Sequence, residues 1–76
     1  MADWHYFREP LSGLYGRLRR IPGVEVGGGN MLYGVEVATQ PKGEFTYVFV
    51  TAGRTPEEAV ARARMTVRSR FHTRAQ

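Results

Sequence analysis

Apolar residues recur along one stripe of residues 53–74, and this spacing predicts the clearest helix in the chain. Val60 is followed by Ala63, Val67 and Phe71 at offsets of three, seven and eleven residues, which places all four on one side of a helix. We expect this stripe to be buried against the rest of the fold.

The start of this helix is marked by residues that suit a helix N-terminus. Thr55 suits the N-cap position and Pro56 the first helical position, and Glu58, three residues after the cap, completes a capping box. Glu57 adds a second carboxylate where the helix dipole favours negative charge. The sequence therefore predicts a helix that begins with Pro56.

The first part of the chain shows two different patterns. Residues 3–8 are rich in aromatic side chains and predict a short edge strand with Trp4 and Tyr6 on one side. Residues 10–21 show the spacing of an amphipathic helix, which the following Pro-Gly pair would end. The apolar positions of this predicted helix are Leu11, Leu14, Leu18 and Ile21.

Three later segments have the alternation and composition of strands. Turns at residues 27–30, which are rich in glycine, and at residues 40–43 separate them. The predicted strands cover residues 24–26, 31–39 and 44–51, and their short connections predict a three-stranded antiparallel meander.

The last of these strands, residues 44–51, carries apolar residues on both sides. Phe45, Tyr47 and Phe49 are predicted to share one side, so we expect a central strand or a strand at an interface. This aromatic row, extended by Tyr33, fits either a buried core or a platform on which single-stranded bases stack.

Together the elements predict a small α+β domain spanning residues 1–76. The expected order is edge strand, helix, three-stranded antiparallel meander and helix, with both helices packed on one face of the sheet. The chain has no cysteine, so neither a disulfide framework nor a thiolate metal site is expected. No apolar run approaches the roughly 18 residues of a membrane span, and no leader pattern opens the chain, so we expect a cytoplasmic protein without membrane contact.

Basic charge is concentrated in the second part of the chain. Residues 1–53 hold five basic and five acidic side chains, whereas residues 54–76 hold six arginines and two glutamates. The net charge of +4 therefore lies entirely in the C-terminal segment. A polyanion or an acidic protein would meet this segment first, although a solvated basic face would show the same pattern.

Residues that carry enzymatic chemistry are sparse and form no recognised motif. His5 and His72 lie near opposite ends of the sequence and show no metal-ligand spacing. Ser12 and Ser69 lack a nucleophile motif, and the carboxylates of the first part of the chain are scattered. We therefore expect a binding module without catalytic residues, metal or cofactor, and not an enzyme.

The segment FTYVFVTAGRTPEEAVARARMTV, residues 45–67, resembles the last strand and second helix of the double-stranded-RNA-binding domain. The same junction is more similar to the HicB-like antitoxin family, which has a partial version of that fold. This resemblance implies a small protein-binding module that caps a nucleic-acid-handling partner. The residues that match the family's Gly-x-Thr-x-Glu-Glu-Ala signature are Gly53, Thr55, Glu57, Glu58 and Ala59.

Our first hypothesis is a non-enzymatic module that contacts nucleic acid or a nucleoprotein complex through the arginine-rich C-terminal helix. Such contacts would go to phosphates and would position the partner without reading its sequence. The two glutamates of the first helical turn disfavour the duplex-RNA mode and place the contacts in the later turns. The candidate residues are Arg62, Arg64, Arg68, Arg70 and Arg74, aided by Arg54, Arg17, Arg19 and Arg20.

Two alternatives remain open at this point. The protein could be an inhibitor or antitoxin-like module, similar to phage-encoded anti-CRISPR proteins, that occludes a partner protein. It could also be a homo-oligomeric structural component, with residues 44–51 pairing with a second copy. Candidate anchors for a protein interface are the aromatic residues Trp4, Tyr33, Phe45 and Tyr47.

Overall fold

A computed structural model of the chain describes residues 3–71, with the side chain of Glu25 outside that description. The predictions that concern His72 and Arg74 lie outside the described residues. The chain forms an α+β fold of four strands and one helix, which lie in the order β1 (His5–Glu9), β2 (Leu14–Val26), β3 (Asn30–Ala38), β4 (Thr46–Gly53) and α1 (Pro56–Phe71).

The four strands form one antiparallel sheet in the order β1-β2-β3-β4. Each strand pairs with its sequence neighbour, as in a simple meander. The predicted α+β class and the antiparallel meander are confirmed, but the sheet has four strands and only α1 packs on it. We call the side under α1 the helix face and the opposite side the open face.

The helix predicted over residues 10–21 is wrong, because this segment is a turn followed by the first half of β2. Leu14 and Leu18 are four residues apart, which fits the period of a strand as well as that of a helix. In the structure they point to the helix face, while Tyr15 and Arg17 point to the open face. The strand forms because β2 pairs with both β1 and β3. The glycines of the segment also disfavour a helix by about 1 kcal/mol each.

The turn between β1 and β2 is fixed by hydrogen bonds that converge on Glu9. The backbone N–H of Gly13 donates to the carbonyl oxygen of Glu9 at 2.9 Å, and the backbone N–H of Ser12 donates to Oε1 of Glu9 at 2.6 Å. Gly13 has a φ of 74°, a conformation that glycine adopts without strain. These bonds reverse the chain where the sequence pattern predicted the start of a helix.

Strand β2 is longer than predicted and contains an irregularity. Its register with β3 shifts between Arg20 and Glu25, and Pro22 and Gly23 lie within this interval. Proline cannot donate to the ladder, which accounts for the break in pairing at this point. The strand predicted over residues 24–26 is thus the end of β2, and the predicted turn after it is confirmed.

Strand β4 lies at the edge of the sheet, so its predicted central position is wrong. Its register with β3 shifts because Val35 pairs with Phe49 and Glu36 pairs with Tyr47, which leaves Val48 as an extra residue. This bulge turns Phe49 into the core and leaves Tyr47 exposed on the open face. The predicted row of three aromatic side chains on one side of this strand is therefore wrong.

Helix α1 begins as predicted. The backbone N–H of Glu58 donates to Oγ1 of Thr55 at 3.1 Å, while Oε1 of Glu58 accepts from the backbone N–H of Arg54 at 2.6 Å. The second bond reaches one residue before the N-cap, so the capping box is closed by Arg54 and not by Thr55 itself.

The core lies between α1 and the helix face of the sheet. Gly53 permits the close approach of the helix, because a Cβ atom on Gly53 would lie 2.7 Å from the backbone nitrogen of Ala59. The predicted stripe is confirmed, with Ala63 and Val67 fully buried and its other two members partly buried. The buried apolar cluster consists of Phe7, Leu18, Tyr33, Val35, Val37, Phe49, Ala59, Ala63 and Val67.

Helix α1 crosses the sheet diagonally. It starts beside the end of β4 and reaches β1 near its last residue, where Arg68 contacts Glu9. The corner of the helix face formed by the start of β1 and the middle of β2 is therefore not covered by the helix. Within residues 3–71, no helix has the length and apolar character to cross a membrane.

Candidate binding face of the sheet

The open face of the sheet is not covered by any element that the structure describes between residues 3 and 71. Along Trp4 and strands β1 and β2 this face presents three aromatic and three arginine side chains, and each of these aromatic residues lies beside an arginine of the neighbouring segment. Arginine over an aromatic face is attracted by the ring's quadrupole. The three pairs are Trp4 with Arg19, Tyr6 with Arg17, and Arg8 with Tyr15.

Arg17 lies at the centre of this arrangement and is held between two rings. Its Cζ atom lies 4.0 Å from the ring centroid of Trp4 and 4.3 Å from that of Phe45. Its Nε and Nη2 atoms each lie 2.8 Å from Oε1 of Glu36 on β3. The guanidinium is therefore fixed in position with its planar faces against aromatic rings.

The environment of Arg17 also stabilises its charged form. Partial burial would lower the pKa of Arg17, but hydrogen bonds to Glu36 and Tyr6 and the negative charge of Glu36 raise that pKa above its ordinary value. The guanidinium carries its positive charge at any pH at which the protein is folded. Glu36 neutralises that charge locally, so Arg17 organises the face more than it adds positive potential to it.

Two exposed tyrosines lie at the ends of one row across the sheet. Tyr6 pairs with Arg17, Arg17 with Glu36, and Glu36 with Tyr47, so the row runs through all four strands. Three strand spacings of about 4.8 Å separate the outer strands by roughly 14 Å. Tyr6 is 62 % exposed and Tyr47 is 57 % exposed, so both rings are accessible from the open face.

The loop between β3 and β4 forms one side of this face. Phe45 packs edge-on against Tyr6, with ring centroids 6.2 Å apart and an interplanar angle of 74°. A shallow groove of about 620 Å³ lies between these two rings, Arg17 and the loop residues 41–44. The groove gives the face a concave part beside its exposed rings.

The half of the open face formed by β3 and β4 is more apolar. Val50 is exposed there, next to Tyr47, and a Cβ atom on Gly34 would lie 3.7 Å from Cδ1 of Ile21 and 3.9 Å from Cε1 of Tyr47. Because Gly34 has no side chain, the surface between Ile21 and Tyr47 is flat. The open face combines an aromatic and basic half with an apolar half.

The arginines predicted on the C-terminal helix are mostly engaged within the protein. Nη2 of Arg62 lies 3.9 Å from Oε2 of Glu58, and Nε of Arg68 donates to Oε2 of Glu9 at 2.9 Å. Arg70 lies over the ring of Phe49, 5.1 Å from its centroid. Arg64 is exposed on the outer side of α1.

The remaining predicted residues lie in two other places. Arg20 and Arg54 line a groove at the uncovered corner of the helix face. Tyr33 is only 4 % exposed and belongs to the core under α1, so the structure separates it from Trp4, Phe45 and Tyr47 on the open face. The structure therefore brings together three of the four aromatic interface candidates.

Several residues of the open face were not predicted as site residues. The signal is that every second residue along 4–8 and 15–19 is aromatic or arginine, and these residues share one face once both segments are strands. The unpredicted residues are Tyr6, Arg8, Tyr15 and Glu36.

Among residues 3–71, no group of three or more histidine or carboxylate side chains is placed to hold a metal ion. No protein-family model, no curated protein and no solved structure matches this chain.

Proposed function

We propose that this protein is a non-enzymatic module that binds single-stranded nucleic acid on the open face of its sheet. The observation that carries the proposal is the row in which exposed Tyr6 and Tyr47 flank the ion pair of Arg17 and Glu36. Unpaired bases stack on exposed aromatic rings, and such stacking accepts any base.

The charge of the protein supports this partner class. The net charge is +4, and Arg8 and Arg19 add exposed positive charge beside the aromatic side chains. Phosphates carry negative charge at every nucleotide, so arginines beside stacked bases supply the electrostatic part of the affinity. Stacking of bases on the aromatic rings provides the other part of the affinity, which depends less on salt concentration.

A single strand fits the face better than a duplex. The bases of a duplex are stacked on one another and cannot lie against Tyr6 or Tyr47. The arginine-rich helix supports duplex binding less well, because Arg62, Arg68 and Arg70 contact groups within the protein. Contacts between the arginines of α1 and nucleic acid remain a prediction, and the experiments below test it as well.

The test uses Tyr6→Ala and Tyr47→Ala, both at exposed positions whose loss leaves the core intact. Binding of a labelled oligo(dT) strand of about 12 nucleotides is measured by fluorescence anisotropy, with the matching duplex as competitor. Each variant should bind about 5- to 150-fold more weakly, because stacking contributes about 1–3 kcal/mol per base. The protein's single tryptophan, Trp4, provides a second readout through quenching of its emission.

Met65→Ala is the matched control, because Met65 is 64 % exposed on α1 and lies on the other side of the molecule. It should bind the strand as the native protein does. The proposal fails if the native protein does not bind the strand at low salt, or if both tyrosine variants bind it unchanged. If Arg64→Gln loses binding while the two tyrosine variants keep it, the contact surface lies on the helix.

A second candidate function is a protein-binding module, and the apolar half of the open face favours it. Val50 is exposed beside Tyr47, and apolar and aromatic residues of this kind form the centres of protein interfaces. A protein recovered with the native chain after nuclease treatment, and lost with Val50→Asp, would support this function. The partner could also be a second copy paired along edge strand β4, which light scattering over a range of concentrations would detect.

A further inference from the structure

A groove of about 940 Å³ lies at the corner of the helix face that α1 leaves uncovered. The start of β1 provides one side, the middle of β2 provides the floor with Tyr33 of β3, and the segment that leads into α1 provides the other side. The lining includes His5, Arg20, Tyr33, Arg54 and Pro56. The groove borders the core, because Tyr33 belongs to both, and it stays open because α1 runs from the end of β4 towards the last residue of β1.

Three arginines line this groove, namely Arg19, Arg20 and Arg54. Asp3 is the only acidic residue among the described lining residues. None of the three guanidinium groups forms an ion pair with a carboxylate whose position the structure describes. Among the described lining residues, three arginines therefore stand against one carboxylate, which leaves a local excess of positive charge.

The other described arginines divide into two groups, because Arg8, Arg64 and Arg70 also form no ion pair with a described carboxylate. Arg17, Arg62 and Arg68 each have a carboxylate partner. The groove differs in that its three arginines line one concave space from different sides, and they therefore present several N–H donors to that space. Phosphate oxygens match this donor arrangement, since guanidinium groups bind them through paired hydrogen bonds.

We propose that this groove binds phosphate groups of the same strand whose bases lie on the open face. Arg19 connects the two surfaces, because it lines the groove and also stacks on Trp4 of the open face. The inference rests on the proposed function and assigns the bases and the phosphates of the strand to two different surfaces. Tyrosines on the open face hold bases, while Arg20 and Arg54 hold phosphates at the corner of the sheet.

The two parts differ in their dependence on salt. Each phosphate contact to a single strand contributes about 0.7 to the slope of log K against log salt concentration, whereas stacking contributes little to it. The double variant Arg20→Gln/Arg54→Gln should therefore bind oligo(dT) more weakly and with a slope that is smaller by about 1.4. Tyr47→Ala should weaken binding with the slope unchanged.

Arg64→Gln removes the same type of charge from the outer side of α1 and serves as the matched comparison. If the slope of log K against log salt concentration falls by about 0.7 in Arg64→Gln, the phosphate contacts lie on the helix and the inference is overturned. An unchanged slope in the double variant would overturn it as well. Both arginines of the groove are exposed, so circular dichroism and thermal unfolding should show native folding in the double variant.

A titration with inorganic pyrophosphate tests the groove without nucleic acid. Amide chemical shifts in the NMR spectrum should change at residues 20 and 54 and at His5, and these changes should be absent in the double variant. If oligo(dT) does not bind but pyrophosphate does, the proposed function fails while the groove is supported as a site for a free phosphate compound. If pyrophosphate causes no change at these residues in the native protein, the groove assignment is overturned.

Discussion

Oε2 of Glu9 accepts a hydrogen bond from Nε of Arg68 at 2.9 Å, although the two residues are 59 positions apart in the sequence. The Glu9 side chain is completely buried, while the Arg68 side chain is 43 % exposed. The other carboxylate oxygen of Glu9 holds the β1–β2 turn through the backbone N–H of Ser12. One buried carboxylate therefore joins the first hairpin of the sheet to the last turns of α1.

Replacement of Arg68 should destabilise the fold by leaving this carboxylate without its charged partner. We expect Arg68→Met to lower the free energy of unfolding by about 1–3 kcal/mol, as measured by urea denaturation. Arg64→Met, at an exposed position of the same helix, should change it by less than about 0.5 kcal/mol. Equal effects of the two substitutions would show that Arg68 acts through helix propensity alone.

The same group predicts a dependence of stability on pH. Burial by itself would raise the pKa of Glu9, but the hydrogen bonds from Arg68, Ser12 and Leu11 outweigh this effect and lower it to about 2, from an ordinary value of 4.5. Because the pKa is lowered in the folded state, the stabilisation is complete above pH 4.5 and is lost as the pH falls towards 2. The loss should reach about 3 kcal/mol.

Urea denaturation at several pH values between 6 and 2 measures this loss, and Glu9→Gln provides the comparison. The variant should be less stable than the native protein near neutral pH, and its stability should fall less between pH 4.5 and pH 2. Parallel pH profiles for the two proteins would contradict the assignment to Glu9.

A third prediction concerns Gly16 of β2, which faces the ring of Phe7. A Cβ atom built on Gly16 would overlap that ring, so alanine there must displace a core side chain. We expect Gly16→Ala to lower the thermal midpoint and to cost about 1–3 kcal/mol. Gly27→Ala is the control, because a Cβ atom on Gly27 would contact nothing within 4 Å, and its stability should remain near that of the native protein.

A fourth prediction concerns the planar shape of the Arg17 side chain. Arg17→Lys keeps the positive charge beside Glu36 but cannot stack between the rings of Trp4 and Phe45. The substitution should cost about 0.5–2 kcal/mol of stability and should lower the fluorescence anisotropy of Trp4, whose ring would lose its support. If the anisotropy of Trp4 stays unchanged, the guanidinium does not hold this ring in solution.

The C-terminal helix could be predicted from the sequence because all its signals are local. Its cap depends on Thr55 and Glu58, which are three residues apart, and its buried stripe follows a single period. The segment of Leu14 and Leu18 satisfies two periods at once, and only pairing with distant strands decides between them. Local spacing therefore predicted the wrong element there.

The candidate site could be predicted only in part for the same reason. The pairing of rings with arginines on the open face depends on the register of β1 and β2, which the sequence pattern did not predict. The bulge at Val48 adds a second effect, because it separates Tyr47 from Phe49 across the sheet. Likewise, Arg68 and Arg70 contact Glu9 and Phe49, which lie on strands far away in the sequence. Spacing within the helix therefore does not show that these two arginines contact other strands while Arg64 is exposed.

The position of α1 after all four strands has a consequence for folding during synthesis. Each hairpin of the meander can pair as soon as its second strand leaves the ribosome, because every strand bonds to its sequence neighbour. Core side chains such as Phe7 and Leu18 nevertheless remain open to water until the ribosome has released α1. The nascent sheet is therefore most prone to aggregation shortly before the helix docks, and slow translation of residues 54–71 would prolong that interval.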